Sequence, residues 1–185
     1  MNIQLDSKML LLKNPYLDLI HQYIETERCV IIPFSTDGIV DIKDHNREFN
    51  LANKNLWISK NLRDMEDEME FIKTRMISMG NNEVFENFVL QKESGELIGW
   101  IGLNTPEEDS VRIVLWVRDS EEWHGYGTEV YEAMLDWVRT NMDYKFLIHT
   151  VHMQNERSGR LALKYGGILQ KRKTEEGHLV FHIPL

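Results

Sequence analysis

One segment restricts the fold more than any other. Val111-Arg-Ile-Val-Leu-Trp-Val117 is a run of β-branched and aromatic residues of strand length. A polar stretch with two glycines, Gly125 and Gly127, follows it. A helix is then expected over about 128–141, because Tyr131, Met134, Leu135 and Val138 recur at the spacing of one helical face. A strand that feeds a helix through a short glycine-bearing loop is a building unit of α/β architecture.

The flanking sequence extends that pattern. Glu27 to Phe34 reads as an opening strand, with β-branched Val30, Ile31 and Ile32 closed by Pro33. Residues 62–79 read as a helix, with Leu62, Met65, Met69, Ile72 and Met76 inward and Glu66, Asp67, Glu68 and Glu70 outward, ended by Gly80 as C-cap. Glu86–Gln91 and Leu97–Leu103 form a hairpin about the turn Glu93-Ser-Gly-Glu96. Phe146–His152 is a strand and Glu156–Tyr165 a helix. Ile168–Lys173 and Leu179–Ile183 close the chain as a hairpin. Residues 8–24 read as two helical pieces broken at Pro15, and Asn50–Asn55 as irregular. The pattern predicts a mixed sheet of six to seven strands flanked by helices.

Bulk properties bound the function. A length of 185 residues suits one domain with a sizeable core. A net charge of −9 counts against nucleic acid as the main partner and is compatible with a cationic substrate. No stretch approaches the roughly 20 apolar residues of a membrane span. The start of the chain carries Asp6, Lys8 and Lys13 and does not read as a secretory signal. The single cysteine, Cys29, cannot form an internal disulfide and suits a reducing cytosol, where it reads as a buried small hydrophobe.

The loop after Val117 has the design of a phosphate cradle. The first N–H groups of a helix have no internal partner, and the helix dipole favours an anion there. Glycine removes the Cβ that would hold the anion off. A pyrophosphate can therefore rest on the N–H groups of Gly125, Tyr126, Gly127 and Thr128. There is no Gly-Lys-Ser/Thr of a nucleotide P-loop and no third glycine of a dinucleotide fold.

With these pieces in order the chain resembles the GNAT superfamily of N-acetyltransferases, and within it the ribosomal-protein N-terminal acetyltransferases. Trp116-Val117 followed by Gly125-Tyr-Gly-Thr-Glu129 matches the acetyl-CoA loop. Glu27-Arg28 and Ile32-Pro-Phe34 match the opening strand, and Leu97–Leu103 a later one. Asn155-Glu-Arg-Ser158, Leu161 and Lys164-Tyr-Gly-Gly167 match the second CoA-contacting helix. The match runs from about residue 25 to 185 as one domain and leaves residues 1–24 as an extension.

The resemblance implies the GNAT fold, with a sheet splayed between its two central parallel strands. It implies acetyl-CoA as co-substrate, a primary amine as acceptor and frequent homodimers. It implies a cofactor site of Leu115, Trp116, Val117, Glu122, Trp123, His124, Gly125, Tyr126, Gly127, Thr128, Asn155 and Ser158. The Val117 N–H would hold the thioester oxygen. Ser158, with Asn155, would serve the departing thiolate, because the tyrosine that many relatives use is replaced by Ala162. The sequence departs from the family at Glu122, where Gln or Arg is usual. A carboxylate there faces the pyrophosphate unless it turns away. Trp123, His124 and the pair Gly166-Gly167 are further departures.

The remaining residues leave alternatives open. Candidates for the base are His149, His152, Glu121 and Glu122. The two histidines are three apart on one strand, hence on opposite faces, and are no metal pair. Asn155 is a natural N-cap for its helix, which is a structural role in itself. Trp57, Trp100, Trp116 and Trp137 read as core, whereas Trp123 reads as a loop residue covering cofactor or an interface. A non-catalytic acyl-CoA-binding module, or an interaction protein that has lost phosphate binding, would use the same fold.

Overall fold

A computed structural model describes residues 9–38, 40–41, 43–47, 64–170 and 177–185. The strands are β1 (Ile24–Glu25), β2 (Cys29–Pro33), β3 (Phe85–Gln91), β4 (Leu97–Asn104), β5 (Ser110–Val117), β6 (Phe146–His152), β7 (Ile168–Leu169) and β8 (His178–Pro184). The helices are α1 (residues 43–47), α2 (Met65–Gly80), α3 (Tyr126–Asn141) and α4 (Glu156–Lys164). Among the described residues one mixed sheet of eight strands runs in the order β1-β2-β3-β4-β5-β6-β8-β7. The pair β5/β6 is parallel, and the other neighbours are antiparallel. The sheet has more strands than the pattern predicts, because Ile24–Glu25 folds back on Val30 and Ile31 as an extra edge.

Alternation along the strands sorts the side chains onto two faces. Phe88, Trp100 and Trp116 stand opposite one another on adjacent strands. They are buried on one face with Phe34, His45 of α1 and Phe71 of α2. Leu115 and Val117 point to the other face, where both approach Gly127 of α3. There Tyr126, Val130, Tyr131, Met134, Leu135 and Val138 of α3 are all buried. Trp137 stacks on Phe85 at 4.5 Å.

Four expectations need correction. The helical pieces over 8–24 do not form, and within the described part only Leu19–His21 makes a 3-10 turn. The backbone there is engaged elsewhere. Leu10 N–H donates to Asn82 O at 2.6 Å, Lys13 N–H donates to Asn141 O at 2.8 Å, and Leu12 bridges Met142. These long-range bonds outweigh local helix propensity. Second, Glu68 is not on the solvent face of α2. It is fully buried and pairs with buried His45 at 3.0 Å. Third, Gly80 belongs to the last turn of α2, and Asn82 takes the left-handed conformation, with φ 56°. Fourth, β7 holds two residues, shorter than expected. Residues 50–55, Trp57, Leu62 and 171–176 lie outside the described part.

Candidate active site

Register creates the site. The parallel pairing of β5 with β6 runs from Ser110 opposite Phe146 to Ile113 opposite His149 and then stops. Beyond that point Val114–Val117 remains paired to β4 alone. Arg118 N–H donates to Ile98 O on the β4 side at 2.8 Å. Backbone direction alternates along a strand, so Leu115 and Val117 aim their N–H and C=O groups away from β4, into the gap. A wedge therefore opens at the centre of the sheet, with unpaired backbone along one wall.

The cradle closes the wide end of this wedge. Gly125 caps α3 with φ 85°, a left-handed conformation that costs glycine little, and no side chain caps the helix. The first intrahelical bond is Glu129 N–H to Gly125 O. The Tyr126, Gly127 and Thr128 N–H groups are left pointing outward, as an anion site requires. Arg28 fixes the loop from outside. It donates to His124 O at 2.9 Å and covers the Tyr126 ring at 4.3 Å. Its Nε donates to Glu129 at 2.8 Å. Burial tends to raise the Glu129 carboxyl, but hydrogen bonds from Thr26 and Arg28 outweigh it and hold the group below its ordinary range.

Helix α4 forms the far wall. Asn155 accepts the Ser158 N–H at 3.1 Å as N-cap. Arg157, Arg160 and Lys164 line the cavity from the same helix. Glu122 and Arg157 form an ion pair across the mouth. The Trp123 ring lies 5.7 Å from the Arg157 guanidinium and is 80% exposed. At the bottom, His149 Nε2 lies 2.8 Å from Ser158 Oγ, and Tyr131 OH lies 2.9 Å from His149 Nδ1. Burial pushes the His149 imidazole down to about 4, so it is neutral at physiological pH. The cavity has a volume of about 350 Å³.

Most residues expected from the sequence meet here. Leu115, Trp116, Val117, Glu122, Trp123, Gly125, Tyr126, Gly127, Thr128, Asn155 and Ser158 all line the cavity. The His124 side chain does not, and its carbonyl serves Arg28 instead. Among the base candidates, Glu121, Glu122 and His149 line the cavity, whereas His152 turns to the opposite face and packs on His178 at 5.3 Å. Cys29 is fully buried, and burial pushes its thiol up to about 11, far from a nucleophile's range. Ala162, where the resemblance leads one to expect a tyrosine, is also fully buried. A Cβ at Gly167 would come 2.7 Å from Ala162 O, so no larger residue fits there without a shift.

The acetyltransferase (GNAT) domain family matches residues 38–168, most of the chain. The chain belongs to this family. It is an acetyl-CoA-dependent N-acetyltransferase. No curated protein matches the sequence. Solved structures that share the fold include an acetyltransferase from Agrobacterium tumefaciens, at 20% identity and TM-score 0.72, covering 92% of this chain and 97% of that one. Another is the Salmonella typhimurium acetyltransferase that modifies the N-terminal serine of ribosomal protein L7/L12. It has 13% identity and TM-score 0.72, with 89% and 99% coverage. A third is the microcin C7 self-immunity acetyltransferase, in complex with acetyl-CoA and AMP. It has 16% identity and TM-score 0.71, with 86% and 93% coverage.

The residues of this acetyltransferase fit its co-substrate. A left-handed glycine cap, outward N–H groups, unpaired wall amides and a basic helix face suit a pyrophosphate on an extended amide arm. The sequence places Arg157 and Lys164 in the matched helix without giving them a role and singles out Arg160 nowhere, yet all three line the cavity. Their recurrence at helical spacing, a basic stripe on one face, was the available signal.

Proposed function

We propose that Gly125, Tyr126, Gly127 and Thr128 hold the pyrophosphate, that Leu115 and Val117 pair with the pantetheine arm, and that Arg157 and Arg160 meet the phosphates. When bound, acetyl-CoA supplies an activated acetyl thioester. Trp116 is buried on the opposite face and shapes the strand, reaching the cavity chiefly through its backbone. Val117 N–H donates to the acyl oxygen, where negative charge grows. The amine nitrogen bonds the acyl carbon, and the C–S bond breaks with its electron pair on sulfur. Ser158 Oγ–H gives its proton to that sulfur, and the proton shed by the amine is restored to Ser158, directly or through solvent. Asn155 acts by capping the turn that carries Ser158.

The observation that carries this reading is the Ser158 hydroxyl at the bottom of a wedge whose wall amides are unpaired. The acceptor is a primary amine. The α-amine of a protein is the first to test, given the shared fold with an enzyme that modifies an N-terminal serine. One domain over 25–185 with residues 1–24 as extension, a cytosolic setting and a homodimer complete the proposal. The pairing of Glu122 with Arg157 weighs against a loop disabled by its carboxylate.

Calorimetric titration of acetyl-CoA into wild type and Gly127→Glu tests the cradle. Wild type should bind and the variant should not. A screen of serine- and alanine-initiated peptides, polyamines and amino sugars, read by release of free thiol, then identifies the acceptor. Wild-type protein that binds no acetyl-CoA would refute the proposed site.

A further inference from the structure

Two buried polar groups behind Ser158 have no part in the reading above, namely the Tyr131 hydroxyl on α3 and the His149 imidazole on β6. We propose that Tyr131 and His149 are positioning residues that hold Ser158 with its hydroxyl proton turned into the wedge. The inference rests on the acetyltransfer reading above.

Counting protons fixes the order of the chain. Tyr131 is fully buried, and among the described residues its hydroxyl meets one partner, His149 Nδ1, at 2.9 Å. A hydroxyl has one proton. If Nδ1 also carried a proton, the buried Tyr131 proton would have no acceptor, an arrangement that protein interiors avoid. Tyr131 therefore donates to Nδ1. The neutral ring then carries its proton on Nε2, and Nε2–H donates to Ser158 Oγ at 2.8 Å. The Ser158 oxygen is thus an acceptor within the chain. Its own proton is left over and free to face the cavity that Ser158 lines.

The surroundings hold this order. Tyr131 stacks on His149 and on Tyr165, each with its ring centre 5.4 Å away. Burial raises the Tyr131 phenol far above its ordinary value, so it remains a donor. Asn155 Oδ1 fixes the Ser158 backbone. A serine nucleophile needs the reverse order, with its hydroxyl donating to the imidazole and an acceptor at the far nitrogen. A tyrosine donor at the far nitrogen denies Ser158 that role and favours proton delivery, which suits direct attack without a covalent enzyme intermediate.

The test uses two readouts. In 15N-histidine-labelled wild type, with His149→Gln for assignment, His149 should be neutral and protonated on Nε2. Tyr131→Phe should shift it toward the Nδ1 tautomer. An Nδ1-protonated ring or an imidazolium in wild type near neutral pH overturns the proposal, whether or not the protein turns over. In acetyl transfer to a serine-initiated peptide, Tyr131→Phe and His149→Gln should each lower kcat about 10-fold, with KM for acetyl-CoA unchanged. In a Ser158→Ala background neither should lower it further. Equal losses in both backgrounds would show a merely structural role. An Nε2-protonated His149 in a wild type that acetylates none of the screened amines overturns the functional reading, and with it the catalytic use of the chain, while the hydrogen-bond order stands.

Discussion

Glu122 and Arg157, 35 residues apart in sequence, pair across the mouth of the wedge. The guanidinium suited to a phosphate is already engaged by a carboxylate. Glu122→Gln should release it and tighten acetyl-CoA about 1.5- to 5-fold, the worth of one partly exposed charge pair. Arg157→Ala should weaken binding by a similar factor. Titration calorimetry at two salt concentrations checks both, and the gain from Glu122→Gln should shrink as salt rises.

Gly127 sits in the first turn of α3, where a Cβ would meet Val117 Cγ2 at 3.5 Å and Leu115 Cδ2 at 3.8 Å, ordinary contacts. Gly127→Ala should therefore fold well and gain up to about 1 kcal/mol of stability from helix propensity. The same methyl narrows the cradle, so acetyl-CoA affinity should fall. Thermal melting paired with titration checks the opposed signs.

Glu129 accepts from the Thr26 hydroxyl at 2.5 Å, the Arg28 N–H at 2.8 Å and the Arg28 guanidinium. Glu129→Ala removes the acceptor of the part-buried Arg28 N–H and loosens the Arg28 guanidinium against the loop, while the Thr26 hydroxyl keeps Cys29 O at 3.2 Å. Denaturant unfolding should show a loss of about 2–3 kcal/mol. Affinity for acetyl-CoA should fall as well, because the same arginine holds His124 O.

His149 sets a pH dependence of stability. Its folded value is pushed down to about 4, whereas an unfolded histidine titrates near its ordinary value, 6.5. Between those values the unfolded chain binds the extra proton, so stability is full above the unfolded value and is lost as pH falls through the folded one. The loss should total about 3 kcal/mol. Urea unfolding from pH 7 to 4 checks it, and His149→Gln should flatten that part of the profile.

What the sequence made legible was local. Phe146–His152 matches its strand end for end, and α3 begins only two residues before the expected Thr128, because periodicity and glycine placement are written in neighbouring residues. The cradle was legible for the same reason. What joins distant segments was not. Nothing near Glu122 announces Arg157. Glu68 looks like one acid among several until α1 brings His45 over it. The Tyr131–His149–Ser158 chain unites α3, β6 and α4. The expected helix over 8–24 misled because the Leu10 and Lys13 amides bond to Asn82 and Asn141 across the fold.

The halt in pairing at Ile113 and His149 has a consequence for hydrogen exchange. Along Val114–Val117, amides directed at β4 are shielded by the ladder, and those directed at the gap are not. One strand at the middle of the sheet should therefore exchange in alternation, with Trp116 slow and Leu115 and Val117 fast. A ligand that lies along the gap should slow the fast pair and leave the slow residue unchanged, as a missing strand would if restored.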